Sequence, residues 1–361
     1  MPAAVPPFYA PWIDEILGAP IPREKAAACR RCSMVGSAPK NGASGRVFFD
    51  AKTLCCTYEP ELPNFLVGRI LADRRPATAD GRRTVAARLR RRAAVTPLGL
   101  GRTPIHALIY DNARDAFGTG RALHCPHHVD GGHCGIWDHR CSTCATWFCK
   151  HDRGAVGQRF WSVLNDLLKA VERDLALWCA LESKIDPLLL SRLALAPGSQ
   201  PARRALDRYQ VDGTADPERY AEIWGGRAGR EVAYFRECGR RVGGMRWPDV
   251  AAVCGPQVRA LAEAARDAFA RLRSRALPDR LGTGDFLTLH ADPRSSLLVS
   301  YSAYDPLSLP RDLVDALPWF DGRPLDEALR AIRAAKRIRV DRDLVLRLVD
   351  FGILVPARGR Q

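Results

Sequence analysis

Apolar residues recur at helical spacing through the middle of the chain. Phe160, Val163, Leu164, Leu167, Leu168, Val171, Leu175 and Trp178 mark one face of a long amphipathic helix over residues 156–181. The same periodicity predicts helices over 187–195, 217–242 and 257–276, separated by loops carrying Gly and Pro. Upstream the pattern is weaker. Asn64 is placed to cap a helix over 65–72. Residues 80–94 form a basic helix in which Arg82, Arg83, Arg88, Arg90, Arg91 and Arg92 surround a thin apolar stripe of Val85 and Leu89. Short strands are expected at 46–49 and 106–110. Residues 1–24 are rich in proline and read as an arm with helix only at 12–17, pinned by Phe8, Tyr9 and Trp12.

The pattern changes again near the C-terminus. A strand at 296–302 is followed by helices at 311–317, 325–336 and 341–349 and a closing strand at 351–355, with turns at Asp321-Gly322 and Gly352. Three helices and a terminal strand suggest a small winged-helix-like module. This module also resembles, through its Phe320-Asp321-Gly322 turn, the peptide-binding winged-helix domains attached to peptide-modifying enzymes. The fold class expected is mainly α with small β elements. It divides into the arm (1–24), an irregular Cys-rich domain (25–153), a helical domain (154–290) and the winged-helix-like module (291–361).

Composition adds a chemistry. Between residues 123 and 153 lie Cys125, Cys134, Cys141, Cys144 and Cys149 with His124, His127, His128, His133, His139 and His151. Thiolates and imidazoles are the ligands of zinc and iron, so the stretch reads as a metal site. Cys29-Arg-Arg-Cys32 is a C-x-x-C turn that brings two sulfurs to one ion, and Cys55-Cys56 is an adjacent pair of which one member is expected to ligate. Cys141 forms a further C-x-x-C with Cys144. It is either a ligand or a bystander. His127 and His128 sit in an exposed-looking turn and are expected to be solvated or to support the ligands. Trp137 and Trp147 are expected to wall the site, and Arg140 and Lys150 to offset thiolate charge. His106 is expected to be structural. Cys179, Cys238 and Cys254 lie apart on helices and read as buried core thiols.

The string Cys134-Gly-Ile-Trp-Asp-His-Arg-Cys-Ser-Thr-Cys144-Ala-Thr-Trp-Phe-Cys149, with Cys125-Pro126 ahead of it, resembles the zinc- or iron-chelating family built on a CxxCxxCC pattern, the YkgJ-like proteins. That family includes the flagellin lysine N-methylases. The resemblance covers residues 29–150. It implies that Cys125, Cys134, Cys144 and Cys149 match the family's later cysteines and Cys29, Cys32, Cys55 and Cys56 its early cluster. Two departures stand out: 22 residues separate Cys32 from Cys55, and the family's Arg-Pro is here Arg140-Cys141. A four-sulfur site would hold a [4Fe–4S] cluster or a zinc ion. Zinc would suit Cys29/Cys32 with Cys141/Cys144. An iron–sulfur cluster would suit the wider spacings.

Charge and absent motifs bound the rest. The chain has 55 Lys and Arg against 40 Asp and Glu, a net charge of +15, mostly from arginine spread along its length. Nucleic acid is therefore a weak expectation and a protein or peptide partner a possible one. No phosphate loop, dinucleotide fingerprint, nucleophile elbow or H-E-x-x-H occurs, which argues against the common nucleotide, serine-hydrolase and zinc-protease classes. The first residues lack the basic and apolar segments of a signal peptide, and no apolar run reaches the roughly 20 residues of a membrane span, so the reducing cytoplasm is the expected location. Two readings follow. One is a metalloprotein supporting protein modification, similar to lysine methylation. The other is a binding protein with a structural zinc that contacts nucleic acid or a peptide through the basic helix or the C-terminal module.

Overall fold

The computed structural model describes residues 5–25, 32–35, 49–129, 132–194 and 212–357. It is mainly helical with small antiparallel sheets, and the chain divides into two compact units interleaved along the sequence. One comprises Met1–Arg23, Phe49–Trp147 and Leu164–Ala265. The other comprises Glu24–Phe48, Phe148–Val163 and Arg266–Gln361.

The first unit begins with helix α1 (Ala10–Leu17), whose Pro11 occupies the first turn, where a missing amide costs nothing, and whose end is closed by Gly18 at φ +62°. Phe8, Tyr9 and Trp12 are buried, as the arm's pattern predicts, and the Trp12 indole donates to the Met245 carbonyl at 2.8 Å. Strand β1 (Leu62–Pro63) leads into α2 (Asn64–Ala72), then α3 (Ala79–Arg91). Asn64 is not the cap. Pro63 holds that position, and Asn64 is the first helical residue, fully buried, its amide donating to the carbonyls of Pro97 at 3.0 Å and Ala176 at 2.8 Å. The side-chain amide is committed to tertiary acceptors, and no local N–H is capped by Asn64.

Strands β2 (Val95–Thr96) and β3 (Gly99–Leu100) complete a three-stranded sheet with β1, in the order β1-β3-β2. The strand expected at 106–110 is instead helix α4 (Pro104–Asn112). Pro104 lies in its first turn with extended Thr103 before it, a start signal that outweighs a short apolar run of ambiguous period. The strand expected at 46–49 lies almost wholly outside the described residues, and Phe49 itself is irregular. A hairpin of β4 (His128–Val129) and β5 (His133–Cys134) and the short helix α5 (Ser142–Thr146) follow.

The long amphipathic helix is α6 (Gly154–Glu182). Its predicted apolar face is buried from Phe160 to Leu175, and Trp178 is half-buried. After α7 (Pro187–Ala194), the single helix expected over 217–242 is two helices: α8 (Pro217–Trp224) and α9 (Glu231–Gly243). Gly225 (φ +50°) and Gly229 (φ +83°) break the run by adopting left-handed backbone between them. Helices α10 (Trp247–Cys254) and α11 (Pro256–Arg273) close the set. Helix α9 crosses α2 at backbone contact. A Cβ on Gly68 would lie 1.7 Å from the Phe235 carbonyl oxygen, and one on Gly239 would lie 3.0 Å from the Arg69 amide nitrogen.

The second unit has its own core. Strands β6 (Arg280–Thr283), β7 (Leu287–Ala291), β8 (Ser295–Val299) and β9 (Leu307–Pro310) precede the short helix α12 (Arg311–Val314). Then come β10 (Asp321–Pro324), α13 (Leu325–Lys336), α14 (Arg342–Asp350) and β11 (Leu354–Pro356). The three helices and the strands at 296–302 and 351–355 fall close to where periodicity places them. β6, β7, β9 and β10 were not expected. They form two antiparallel sheets, β7-β8-β9 and β10-β6-β11. Leu281, Leu298, Leu309, Phe320, Ile332 and Leu348 pack in one apolar cluster.

Candidate metal centre

Three segments of the first unit converge. The first is the turn carrying Cys55 and Cys56. It is anchored downstream by Thr57, whose hydroxyl accepts from the Gly118 amide at 2.9 Å, and by His106, whose Nε2 sits between the Thr57 carbonyl (3.1 Å) and the Glu59 amide (3.2 Å). His106 is thus structural. Glu59 ends the segment in a buried ion pair with Arg88 at 2.9 Å and accepts from the Thr103 amide and hydroxyl at 2.8 and 2.7 Å.

The second segment is the β4–β5 hairpin with its approach, 123–136. The Cys125 amide donates to the Cys56 carbonyl at 2.8 Å, tying the first two segments together. In the register, His128 faces Cys134. His127 and His128 are not in an exposed turn. His127 is fully buried, with Nδ1 2.8 Å from the Thr84 hydroxyl and its carbonyl accepting from the Gly135 amide at 2.8 Å. Burial pushes its imidazole down to about 3. His128 is buried as well and lies 2.6 Å from His124 Nε2 through its Nδ1. The first turn of α3 supports the hairpin at backbone contact: a Cβ on Gly81 would lie 2.3 Å from the Gly135 carbonyl oxygen.

The third segment is Arg140–Thr146. Cys141 precedes α5 and Cys144 lies within it. The Cys144 thiol hydrogen-bonds Cys141, and both that bond and burial push it well above the usual thiol value. The Cys55 thiol is likewise hydrogen-bonded to Cys56 and held well above its usual value. Burial pushes Cys125 up to about 12 and Cys134 up to about 11, with neighbouring thiols adding to both. The mutual influences connect the set: Cys134 acts on Cys125, Cys55 and Cys141 act on Cys134, and Cys125 and Cys134 act on Cys144.

Two details oppose that upward push. The amide of His127 is aimed at the Cys125 sulfur and that of Ile136 at the Cys134 sulfur, while the His128 amide donates to the Cys125 carbonyl at 3.0 Å. Amide N–H groups aimed at sulfur favour the thiolate. Arg140 is buried, stacks on Trp137 at 3.7 Å from the ring centroid and donates to the Cys144 carbonyl at 3.1 Å. Its charge lowers Cys55 and Cys134, the direction expected of it. Trp147 is 37 % exposed and packs on Phe49 and Phe117. Among the described residues, no set of three or more Cys, His, Asp or Glu side chains has the geometry of a formed metal site.

The structure therefore brings together Cys55, Cys56, Cys125, Cys134 and Cys144 of the expected ligands, and Cys141 with them. Cys32 and Cys149 belong to the second unit. Cys29 lies outside the described residues. Of the three helix cysteines, Cys179 and Cys238 are fully buried and meet each other, the Cys179 sulfur lying 4.0 Å from the Cys238 carbonyl. Cys254 is only half-buried, at the end of the short α10, and is not the core thiol expected.

Sequence reasoning missed Glu172. It lies on the apolar face of α6, between Leu168 and Leu175, and that placement is the signal that could have found it. It accepts from the Ser142 amide and hydroxyl, both at 2.7 Å, and from the Tyr9 hydroxyl. Burial pushes its carboxyl up to about 7, against the lowering effect of those hydrogen bonds and of Lys169. The folded chain thus keeps a proton that the unfolded chain releases near pH 4.5, and raising the pH across that interval favours unfolding. Buried histidines such as His127 act in the opposite direction over part of the same range, so the comparison must be with a variant. Glu172→Gln should gain stability relative to wild type between pH 5 and pH 8 by on the order of 3 kcal/mol. Denaturant titrations at several pH values check this, and a pH-independent difference would contradict it.

The basic helix is largely spent on its own fold. Arg88 is buried against Glu59, Arg83 pairs with Asp80 at 2.7 Å, and Arg91 with Asp212 at 3.5 Å. Arg82 donates to the Asp73 and Arg75 carbonyls, and Arg92 lies over the Tyr220 ring at 4.6 Å. Arg88 is thus buried, unlike the exposed Arg83 and Arg91 of the same helix. No helix among the described residues is long and apolar enough to cross a membrane.

Fold and site together define a mainly helical protein with a group of six cysteines, Cys125 and Cys141 buried and the other four half-buried. Comparison with protein-family models, with curated proteins and with solved structures gave no match. The resemblance to the YkgJ-like proteins rests on the cysteine string alone.

Proposed function

We propose that the thiol group of the first unit chelates a metal, as a [4Fe–4S] cluster or a zinc ion, through Cys125, Cys134, Cys144 and one or both of Cys55 and Cys56, with Cys141 able to replace or join them. The observation that carries this reading is the aiming of backbone amides at the sulfurs of Cys125 and Cys134 within a group of six mutually influencing, half-buried to buried cysteines. A purely apolar packing role for thiols has no use for donors that favour their anionic form. Six thiols exceed the four a cluster or a zinc ion needs, and Arg140 supplies a buried positive charge beside them. A zinc ion would staple the three segments together, whereas an iron–sulfur cluster would carry one electron in and out.

The likeness of the cysteine string to that of the YkgJ-like proteins supports reading the centre as part of a protein that assists modification of other proteins, methyl transfer to lysine being one example. The C-terminal module (291–361), with α12, α13 and α14, is read as winged-helix-like and as the surface for a peptide or protein partner. The engagement of the α3 arginines by intramolecular partners leaves nucleic acid as the weaker reading.

Elemental analysis with an absorption spectrum, on protein purified without oxygen, tests the centre. Iron with sulfide and a broad band near roughly 400 nm is expected for a cluster. Stoichiometric zinc without colour is expected for a structural site. Protein that retains neither metal, and takes up neither on reconstitution, would refute it.

A further inference from the structure

We propose that Glu172 is a positioning residue of the thiol group: its two carboxylate oxygens hold the Cys141–Cys144 turn in place and fasten it to the N-terminal arm. The geometry is two-pronged. Oε1 accepts from the Ser142 amide and Oε2 from the Ser142 hydroxyl, each at 2.7 Å, and the Tyr9 hydroxyl adds a bond to Oε1. Ser142 and Tyr9 are fully buried, and Glu172 is 8 % exposed.

Helix α5 has five residues, too few to persist by its own hydrogen bonds. It needs an external restraint, and the bonds from α6 fall on Ser142, directly after Cys141 and two residues before Cys144. Fixing that residue's amide and hydroxyl fixes the backbone from which both sulfurs project. Inside the turn, the Cys141 carbonyl accepts from the Ala145 amide at 2.9 Å and the Ser142 carbonyl from the Thr146 hydroxyl at 2.9 Å, so the restraint at Ser142 passes to the whole turn. A carboxyl group buried at this depth costs several kcal/mol unless its lone pairs are used. Here three donors use them. An apolar residue of similar size would fill the space but leave two donors of Ser142 unpaired and the turn untied.

The arm joins the same device. Tyr9 immediately precedes α1, which is held by the Trp12 bond to Met245 and by the ion pair of Glu15 with Arg246 at 2.5 Å. Arm, long helix and cysteine turn thus meet at one carboxylate.

This proposal deepens the metal reading and rests on it only in its metal readout, since a second readout needs no metal. The first is residue-resolved alkylation of the full-length chain by iodoacetamide. In Glu172→Leu, Cys141 and Cys144 should react about tenfold faster relative to Cys179 and Cys238 than they do in wild type, because only the turn has been freed. Glu172→Gln, which still accepts from the Ser142 amide, should restore most of the protection. Ser142→Ala cuts the same link more gently and should expose the same two thiols by a few-fold, which keeps the test decisive if Glu172→Leu does not fold. Equal acceleration at all four cysteines, or none at Cys141 and Cys144, would overturn the proposal. The second readout is zinc affinity by chelator competition, expected to fall about tenfold in Glu172→Leu and to be largely retained in Glu172→Gln. Equal affinity in wild type and Glu172→Leu would likewise count against the positioning role. Wild-type protein that takes up no zinc or iron would sink the metal reading alone, and the alkylation pattern would still decide the role of Glu172.

Discussion

Cys134→Ala should lose at least about nine-tenths of the bound metal, while Cys254→Ala keeps the wild-type complement. Cys134 is the best-connected thiol of the group: Cys55 and Cys141 act on it, it acts in turn on Cys125 and Cys144, the Ile136 amide reaches its sulfur, and Arg140 lies beside it. Removing it takes away a ligand held by the hairpin, whose partner strand presents His128 opposite and whose approach carries Cys125. Cys254 has other company. Its thiol feels Asp174 and Arg173, and burial pushes it up to about 12. Metal content per chain, measured on variants shown to be folded, decides the matter. Equal retention in Cys134→Ala and Cys254→Ala would remove the site assignment.

Gly68→Ala should cost the first unit about 3 kcal/mol or more, enough to remove a large share of an ordinary domain's stability. The reason is a helix crossing with no room for a methyl group. The added Cβ would meet the Phe235 carbonyl oxygen at 1.7 Å and its carbon at 2.5 Å, and both are backbone atoms that no rotamer change can move. Gly239 on the facing helix is close as well, a Cβ there lying 3.0 Å from the Arg69 amide nitrogen, so the two backbones meet at both glycines. Gly244 provides the control. It has φ −101° and nothing within 4 Å of a Cβ, and Gly244→Ala should change stability by less than about 0.5 kcal/mol. Denaturant midpoints of the three proteins make the comparison, and a Gly68→Ala midpoint equal to wild type would show that the crossing is not the constraint the geometry implies.

Helices with a single buried face were legible in advance. α6 and α13 follow from the spacing of leucines, valines and alanines, because burial on one side of a helix writes a period near 3.6 into the chain. The arm's aromatic anchors were legible too, since Phe8, Tyr9 and Trp12 are too large and apolar to leave in water among prolines. Short elements were not. Residues 106–110 carry an apolar run compatible with either period, and only the proline two residues earlier distinguishes helix from strand. The strands of the second unit are four or five residues long, or shorter, and β7 is exposed along its whole length, so no alternation betrays it.

For the thiol group the division is sharper. Residue type and spacing by themselves singled out the cysteines proposed here as ligands and set Cys179, Cys238 and Cys254 apart, because sulfur's affinity for metal is a local property of the side chain. Which cysteines share a place depended on the tertiary structure. Cys141 joined the group because α5 is tied down at Ser142, and Cys55 and Cys56 joined because the Cys125 amide reaches the Cys56 carbonyl across a long loop. The same holds for the polar residues that serve the group. Glu172 looks misplaced on an apolar helix face and Arg88 looks ordinary on a basic one, yet the buried place of each is explained only by a partner distant in sequence: Ser142 and Tyr9 for the first, Glu59 for the second. A chain's periodicity records which side of an element faces water. The partner that a buried charge will meet there is decided by how the elements pack, and no single segment carries that information.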